Sequence, residues 1–388
     1  MPAVTLWTYQ DAIEHCMDYI GVGAPTPDAL RDARRSVQLA YRDLDNDHPW
    51  SYLWKAGRIN TVASQSSSTI TYDHTGGTYE RMVTLASGTW PTWTLYATLL
   101  IDNVPYQVAE RKSDTVLTLT IGSNPGADVA AGTSYTLYRD TYPLPCDFRM
   151  SYTPHTRENW GGLCYVHPRE WMAERSLTPQ IGQPRIFTIQ GDENLMGALA
   201  MIVYPAPSSA FAIDFLYQRY ARPLVVDDYH DGTATVPNSS TAVTGSNTAW
   251  SSKHVGAVLR FAADALDLPT GLAGANQFVY ERVIMSVESA TELVVDLILP
   301  EALTGVKYRI SDPLDLEYGV MLTPLLRGCE KQMSTARIMK DKPNAAAAYR
   351  EAILEAKAND TRIGMMRSVG GVEGSRWNMK YQPLGADD

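Results

Sequence analysis

Two stretches of the chain, residues 69–145 and 233–316, carry the same landmarks in the same order, and this repeat constrains the fold more than any other feature. Thr69-Ile70-Thr71 matches Thr233-Ala234-Thr235. Val83 followed by Ser87-Gly88-Thr89-Trp90 matches Val243 followed by Gly245-Ser246-Asn247-Thr248-Ala249-Trp250. Ser113-Asp114-Thr115-Val116-Leu117 matches Ser289-Ala290-Thr291-Glu292-Leu293, and Gly132-Thr133-Ser134-Tyr135-Thr136-Leu137 matches Gly305-Val306-Lys307-Tyr308-Arg309-Ile310. Both stretches end in an Asp with a Pro-Leu pair, Asp140 with Pro143-Leu144 and Asp312 with Pro313-Leu314. The runs are β-branched or alternating and are punctuated by Gly, Asn, Asp and Pro, which is strand-and-turn chemistry. A period of this length exceeds that of solenoid repeats. The pattern therefore predicts two copies of one small β-barrel or β-sandwich.

The flanks read as helices. Thr26-Pro27-Asp28 supplies a cap, a first-turn proline and an acidic first turn. Leu30, Ala33, Val37, Ala40/Tyr41 and Leu44 then give one apolar stripe, with Arg31, Arg34, Arg35 and Arg42 beside it. A shorter helix is expected over Asp11 to Tyr19, ended by Gly21-Val22-Gly23, and Trp50, Tyr52, Leu53 and Trp54 read as a plug sealing helix against sheet. Near the other end Leu322, Leu325/Leu326, Cys329, Met333 and Ala336 form a stripe ended by Lys342-Pro343. A second helix follows from Asn344 to about Arg362, with Tyr349, Ala352/Ile353 and Ala356 inward. Between the repeats lie a short helix over 168–176 and strand runs Arg185–Ile189, Ala198–Tyr204 and Phe211–Tyr217, the last two read as a β-hairpin through Pro205-Ala206-Pro207. The tail from Gly364 to Asp388 reads as irregular.

Chemistry is sparse. The chain has no GxxxxGK[ST] phosphate loop, GxSxG elbow or HExxH pair. Gly21-Val22-Gly23-Ala24-Pro25-Thr26 is half a dinucleotide fingerprint but no strand precedes it, so it reads as a turn before a helix. Asp227-Asp228-Tyr229-His230-Asp231-Gly232 lacks the distal Glu of a calcium loop and reads as an acidic linker. His48-Pro49-Trp50 reads as a structural helix end and His167-Pro168-Arg169-Glu170 as a helix-start turn. Cys16, Cys146, Cys164 and Cys329 form no CxxC and read as reduced thiols. Trp90 and Trp250 stand at equivalent repeat positions, as core plugs would, with a sugar-stacking platform that also includes Trp93 as the alternative. No catalytic, metal or cofactor residue is assigned. The one candidate set is in the tail, where Arg376, Trp377, Met379 and Tyr381 are the residue types that anchor partner surfaces.

The layout resembles the head-to-tail adaptor (connector, or neck) proteins of tailed bacteriophages, in an enlarged form with β insertions. The resemblance rests on Asp45 to Leu53 (Asp-x-Asp-x-Pro-Trp-Ser-Tyr-Leu), on Tyr135 to Pro145, on Ile202 to Pro207 followed by Tyr217 to Pro223, and on the Ala-rich last helix ending in Asn359-Asp360-Thr361-Arg362. It implies a virion structural protein, not an enzyme, which forms a ring, commonly of twelve copies, between portal and tail. Assembled in the host cytoplasm and located in the virion neck, it would touch the portal protein, the tail nozzle and tail proteins, and fibres where present. Double-stranded DNA would pass through its channel without tight binding. No membrane span or signal peptide is expected.

The expected fold is α+β, a helical module made by both chain ends that carries duplicated small β-domains and a central β-hairpin region. The expected divisions are 1–55 (helical), 56–145 (first β-domain), 146–230 (central region), 231–316 (second β-domain), 317–363 (helical pair) and 364–388 (docking tail). Another tail component (nozzle, stopper or fibre-attachment protein) is the nearest rival, followed by a carbohydrate-binding or carbohydrate-active β-module protein and then a nucleic-acid-binding protein. The net charge of −10 disfavours a protein that grips nucleic acid across its surface. It is also uneven: residues 318–388 hold 11 Lys+Arg and 8 Asp+Glu, a local +3 that leaves −13 on the rest.

Overall fold

The computed structural model describes residues 6–21, 26–151, 155–156, 162–174, 179–270, 276–337 and 344–369, the side chains of 155, 156, 174 and 361–369 excepted. Its helices there are α1 (Tyr9–Ile20), α2 (Pro27–Asp47), α3 (Pro168–Glu174), α4 (Tyr318–Arg337) and α5 (Ala345–Val369). With the strands they make an α+β chain of two units, one of residues 54–220 and one of 1–53 with 221–388.

The strands of the 54–220 unit are β1 (Trp54–Asn60), β2 (Thr69–Asp73), β3 (Met82–Leu85), β4 (Ala97–Ile101), β5 (Val104–Arg111), β6 (Val116–Leu119), β7 (Val129–Arg139), β8 (Thr141–Pro143), β9 (Phe148–Ser151), β10 (His155–Thr156), β11 (Cys164–Tyr165), β12 (Ile181–Gly182), β13 (Ile186–Gly191), β14 (Leu199–Tyr204), β15 (Ala206–Pro207) and β16 (Ala212–Arg219). Strands β2-β3-β6-β5-β4-β7 close into a barrel. Its interior is filled by alternate residues such as Ile70, Tyr72, Val83, Leu99, Leu117 and Leu137. The period of two that fills the barrel is the one visible in the sequence.

Beside the barrel, β16 is the hub of one small sheet, pairing with β1, β9 and β10, while β11-β13-β14-β8 forms another. Ile213, Phe215 and Tyr217 of β16 are buried, and Phe215 crosses so close over β1 that a Cβ on Gly57 would lie 2.6 Å from its ring. The expected hairpin between Ala198–Tyr204 and Phe211–Tyr217 does not form. Strand β14 pairs instead with β13 and β8, and β16 belongs to the other sheet. Pro205 and Pro207 have no N–H to donate, so the segment between them cannot continue a ladder and serves as a crossover, with β15 paired to β12. Residues 56–60 and 141–143, grouped by sequence with the first β-domain, pair here with 212–216 and 200–202.

In the other unit α1, α2, α4 and α5 share one core. Helix α2 is capped as its sequence requires: the Ala29 N–H donates to Thr26 Oγ1, Pro27 opens the helix, and Ala29, Ala33, Val37, Ala40, Tyr41 and Leu44 are buried. Helix α1 begins on a reciprocal Thr8–Asp11 capping box and stops at Gly21, whose φ of 69° is the left-handed end that glycine reaches without strain. The plug is among helices and not between helix and sheet. Trp50 and Leu53 are fully buried in the helical core, with Trp50 Nε1 donating to the Leu44 carbonyl at 2.8 Å, while Trp54 already belongs to β1. Burying two such side chains contributes on the order of 1.5–3 kcal/mol each.

On α4 the buried positions are Met321, Pro324, Leu325, Gly328, Cys329, Glu330 and Met333, whereas Leu322 and Leu326 are half-buried and Ala336 is exposed, so the inward stripe ends a turn earlier than its apolar pattern suggests. Helix α5 continues past Arg362 to Val369, so the first six residues assigned to the irregular tail are helical. Asp360 on its inner face accepts the Ser51 N–H at 3.1 Å and stands 3.3 Å from His48 Nε2, tying the last helix to the end of α2.

The second β-domain has strands β17 (Thr233–Val236), β18 (Ala242–Ser246), β19 (Val258–Phe261), β20 (Tyr280–Ser289), β21 (Glu292–Val295), β22 (Leu303–Val306) and β23 (Tyr308–Ser311). They pair in the order β22-β17-β18-β21-β20-β19-β23 around a core that includes Val243, Leu259, Phe261, Leu293 and Ile310. An ionic cluster joins this domain to α1. Arg260 on β19 is 2% exposed and donates to both carboxylate oxygens of Asp11 at 2.9 Å, to Glu281 at 3.0 Å and to the Leu6 carbonyl at 2.7 Å. Arg309 adds pairs with Glu14 at 3.1 Å and Asp228 at 2.9 Å.

Candidate functional site

The tail residues Arg376, Trp377, Met379 and Tyr381 lie outside the described residues. Residues 22–25 of the half fingerprint lie outside them as well, and the remaining motifs are held by structural partners as follows. In the acidic run Asp227 pairs with Arg34, Asp228 with Arg309 and His230, and the Tyr229 hydroxyl accepts the Ala249 N–H. Its carboxylates thus diverge to separate partners. Among the described residues no group of three or more His, Cys, Asp or Glu is placed to hold a metal ion. His167 sits at the start of α3, its Nδ1 accepting the Arg169 N–H at 3.2 Å and its carbonyl accepting from Glu170 and Trp171. His48 packs edge-on against Trp50, ring centres 4.7 Å apart. Cys16 and Cys329 are both fully buried and free, and their mutual hydrogen bond, together with burial, pushes the Cys329 thiol well up.

Trp90 and Trp250 are core residues, 1% and 3% exposed. Each meets a tyrosine edge-on, Trp90 with Tyr135 at 5.2 Å and Trp250 with Tyr308 at 5.8 Å. Neither is open to a sugar, and Trp93 packs partly buried against the same barrel core as Trp90.

A cleft of about 870 Å³ lies within the 54–220 unit. One wall is the outer face of the closed barrel, from the short 3-10 turn Thr94–Tyr96 to β5. The other is α3 with the β13–β14 hairpin. Its geometry follows from local packing. The Tyr96 hydroxyl donates to Asp192 Oδ2 at 2.8 Å, and Asp192 in turn accepts the N–H groups of Asn194 and Leu195, fixing the hairpin turn. The Arg139 guanidinium lies over the rings of Tyr96 (5.0 Å) and Tyr142 (4.7 Å) while its Nε donates to the Thr141 carbonyl.

Burial raises the Tyr142 hydroxyl to about 12 and, with Asp192 beside it, raises Tyr96 as well. It lowers Arg139, an effect that the two tyrosines and Asp192 oppose. Trp171 is buried behind the wall, whereas Met172 (76% exposed) and Leu95 (51%) stand open on the rim. The lining supplies amides (Gln107, Gln190, Asn194), the carboxylates Asp140 and Glu193, and no Lys or Arg. Such a surface can receive an apolar projection with basic flanks. Sequence reasoning missed it because its residues come from separate turns and strands (β4, β5, β13 and β14) whose meeting no local periodicity encodes.

Compared with known protein families and with curated protein sequences, the chain matches none.

Proposed function

We propose that the chain is a virion structural protein, a head-to-tail adaptor that forms a ring between portal and tail and lets DNA pass. The observation that carries this reading is the shared core of α1, α2, α4 and α5: helices from both chain ends build one module and the β-domains are carried between them. A ring subunit needs two different complementary faces. The acidic balance of the body suits a channel that repels phosphate instead of holding it.

We further infer that the two β-domains are copies of one ancestor. Matching the landmarks strand by strand gives the same order, β2-β3-β6-β5-β4-β7 against β17-β18-β21-β20-β19-β23, with β22 and β23 together standing for the long β7. The bulges recur at matched places, Ile70/Tyr72 with Ala234/Val236 and Val108/Glu110 with Ile284/Ser286. So do the Trp–Tyr pairs and the hydrogen bond that each Trp N–H donates, to Asp114 or to Ala290. Bulges are features of a family's backbone and not of its composition, so their recurrence argues for descent.

The test is electron microscopy and native mass spectrometry of the full chain with the portal protein from the same genome. The expected result is a ring seated on the portal, lost when residues 370–388 are removed. A chain that ignores the portal and binds a polysaccharide instead would sink the adaptor reading.

A further inference from the structure

The barrel face that walls the cleft has a counterpart on the second β-domain, and that counterpart is bare. Position for position, Leu95 corresponds to Val255, Ala109 to Met285 and Ile121 to Leu297. The backbone joins each set alike: the N–H of Thr120 donates to the Gln107 carbonyl, and that of Asp296 to the Val283 carbonyl. Ile284 points into the core, so Val283 and Met285 face outward. The Gly256 N–H, bonded to the Ile284 carbonyl, brings Val255 alongside. The result is an exposed apolar ridge: Met285 is 59% exposed, Ile298 57%, Leu297 49% and Val255 39%.

The flanks of the ridge are basic. Arg282 donates from Nε and NH2 to the carbonyls of Leu297 and Ile298, which places its charge at the base of the ridge, and Lys253 is exposed next to Val255. Asp296 stands exposed beside them, its Oδ1 accepting the Val283 N–H at 3.0 Å, so the two cations face one carboxylate. The cleft is the complement, concave, with exposed Met172 and Leu95 at its rim, Glu193 and Asp140 in its lining and no cation there. Its volume of about 870 Å³ is in the range that buries a group the size of several side chains. Apolar ridges of this kind mark interaction sites.

We propose that the Val255–Met285–Leu297–Ile298 ridge of one copy seats in the cleft of a second copy, with Lys253 and Arg282 meeting Glu193. The contact is heterologous, so it propagates from copy to copy and closes where the rotation allows. It rests on the ring reading and names the faces that make the ring.

Two surface variants separate the faces: Leu297→Asp with Ile298→Asp removes the ridge, and Met172→Asp with Glu193→Lys removes the cleft. Sedimentation velocity of the full chain, without portal protein, reads association. Wild type is expected to associate with rising concentration, and each variant alone to associate at least about 30-fold more weakly, the change expected for one hot-spot residue. Mixed in equal amounts, the variants should form a one-to-one dimer and nothing larger, because each keeps the face the other lacks. Circular dichroism checks folding, and Lys253→Glu replaces the ridge variant if that variant does not fold. Wild-type assembly by either variant, a monomeric mixture or a wild-type chain that never associates would overturn the contact. A ring on the portal that survives both variants would leave the adaptor reading standing and this contact refuted.

Discussion

Arg260 is a buried cation held between two buried carboxylates. Burial alone would lower its affinity for the proton, but the hydrogen bonds and charges of Asp11 and Glu281 raise it, so the guanidinium stays charged in a nearly dry site. Removing one partner of such a cluster costs about 3–5 kcal/mol, because the others are left as buried unpaired charges. Arg260→Ala is therefore expected to destabilise by that amount in urea unfolding. The triple change Arg260→Met, Asp11→Asn, Glu281→Gln should recover most of the loss, since it leaves no charge behind; a triple variant as unstable as the single one would refute the ionic account.

His254 gives a pH-dependent counterpart. It is fully buried, with Nδ1 accepting the Ser251 N–H at 3.0 Å and Nε2 without a partner, and burial lowers its affinity for a proton. A lowered folded pKa means that the unfolded chain binds the proton first. The stability is intact above the unfolded value of about 6.5 and falls as the pH drops below it, by at most about 1.4 kcal/mol per pH unit. His254→Phe should flatten that slope between pH 7.5 and 5.5, measured as the difference from wild type in denaturant midpoints. A variant as acid-sensitive as wild type would show that the slope comes from other groups.

At the scale of elements, the helices were legible because their signals are local. Thr26 caps its own helix, and Leu44 lies on the same face as Val37 within a few turns. The approach of one helix to another was not. At Gly328 a Cβ would stand 3.1 Å from the Tyr349 ring and 3.2 Å from the Ala40 Cβ, so α4 meets α2 and α5 through a glycine that no periodicity singles out. Gly328→Leu must push these helices apart and is expected to cost about 1–3 kcal/mol by overpacking. The same substitution at Gly319, where no atom lies within 4 Å of a Cβ, should cost less in the same thermal-melt series. The strands were legible in the same uneven way. The barrel strands show alternation and turn residues, but nothing in Ala198–Tyr204 says whether its partner is the next strand or the previous one. The candidate site divides likewise. The tail anchors were read from residue type alone and lie outside the described residues, while the cleft depends on turns brought together by long-range pairing.

At the scale of the whole molecule, the order of the chain hides its partition. The 54–220 unit leaves and returns at adjacent points: Trp54 pairs with Gln218 across β1 and β16, and the Tyr220 N–H donates to the Asp147 carbonyl at 2.7 Å. Its entry and exit are therefore fixed by its own hydrogen bonds, and it contains two complete cores, that of the barrel and that of the paired small sheets. The remaining unit has its own helical core and the core of its seven-stranded sheet, stitched by Asp312, which pairs with Arg222 and accepts the N–H groups of Val225 and Val226. Residues far apart in sequence thus belong together for reasons of pairing that composition cannot reveal. Units with independent cores and closely spaced ends tolerate excision. Residues 54–220 expressed alone should unfold in one cooperative transition with native dispersion in their NMR spectrum. The chain with 54–220 replaced by a short Gly-Ser link between Leu53 and Ala221 should keep its helical signal and remain as sensitive to Arg260→Ala as the full chain. If the excised unit is molten while the full chain is folded, its cores depend on the rest of the protein and the partition fails.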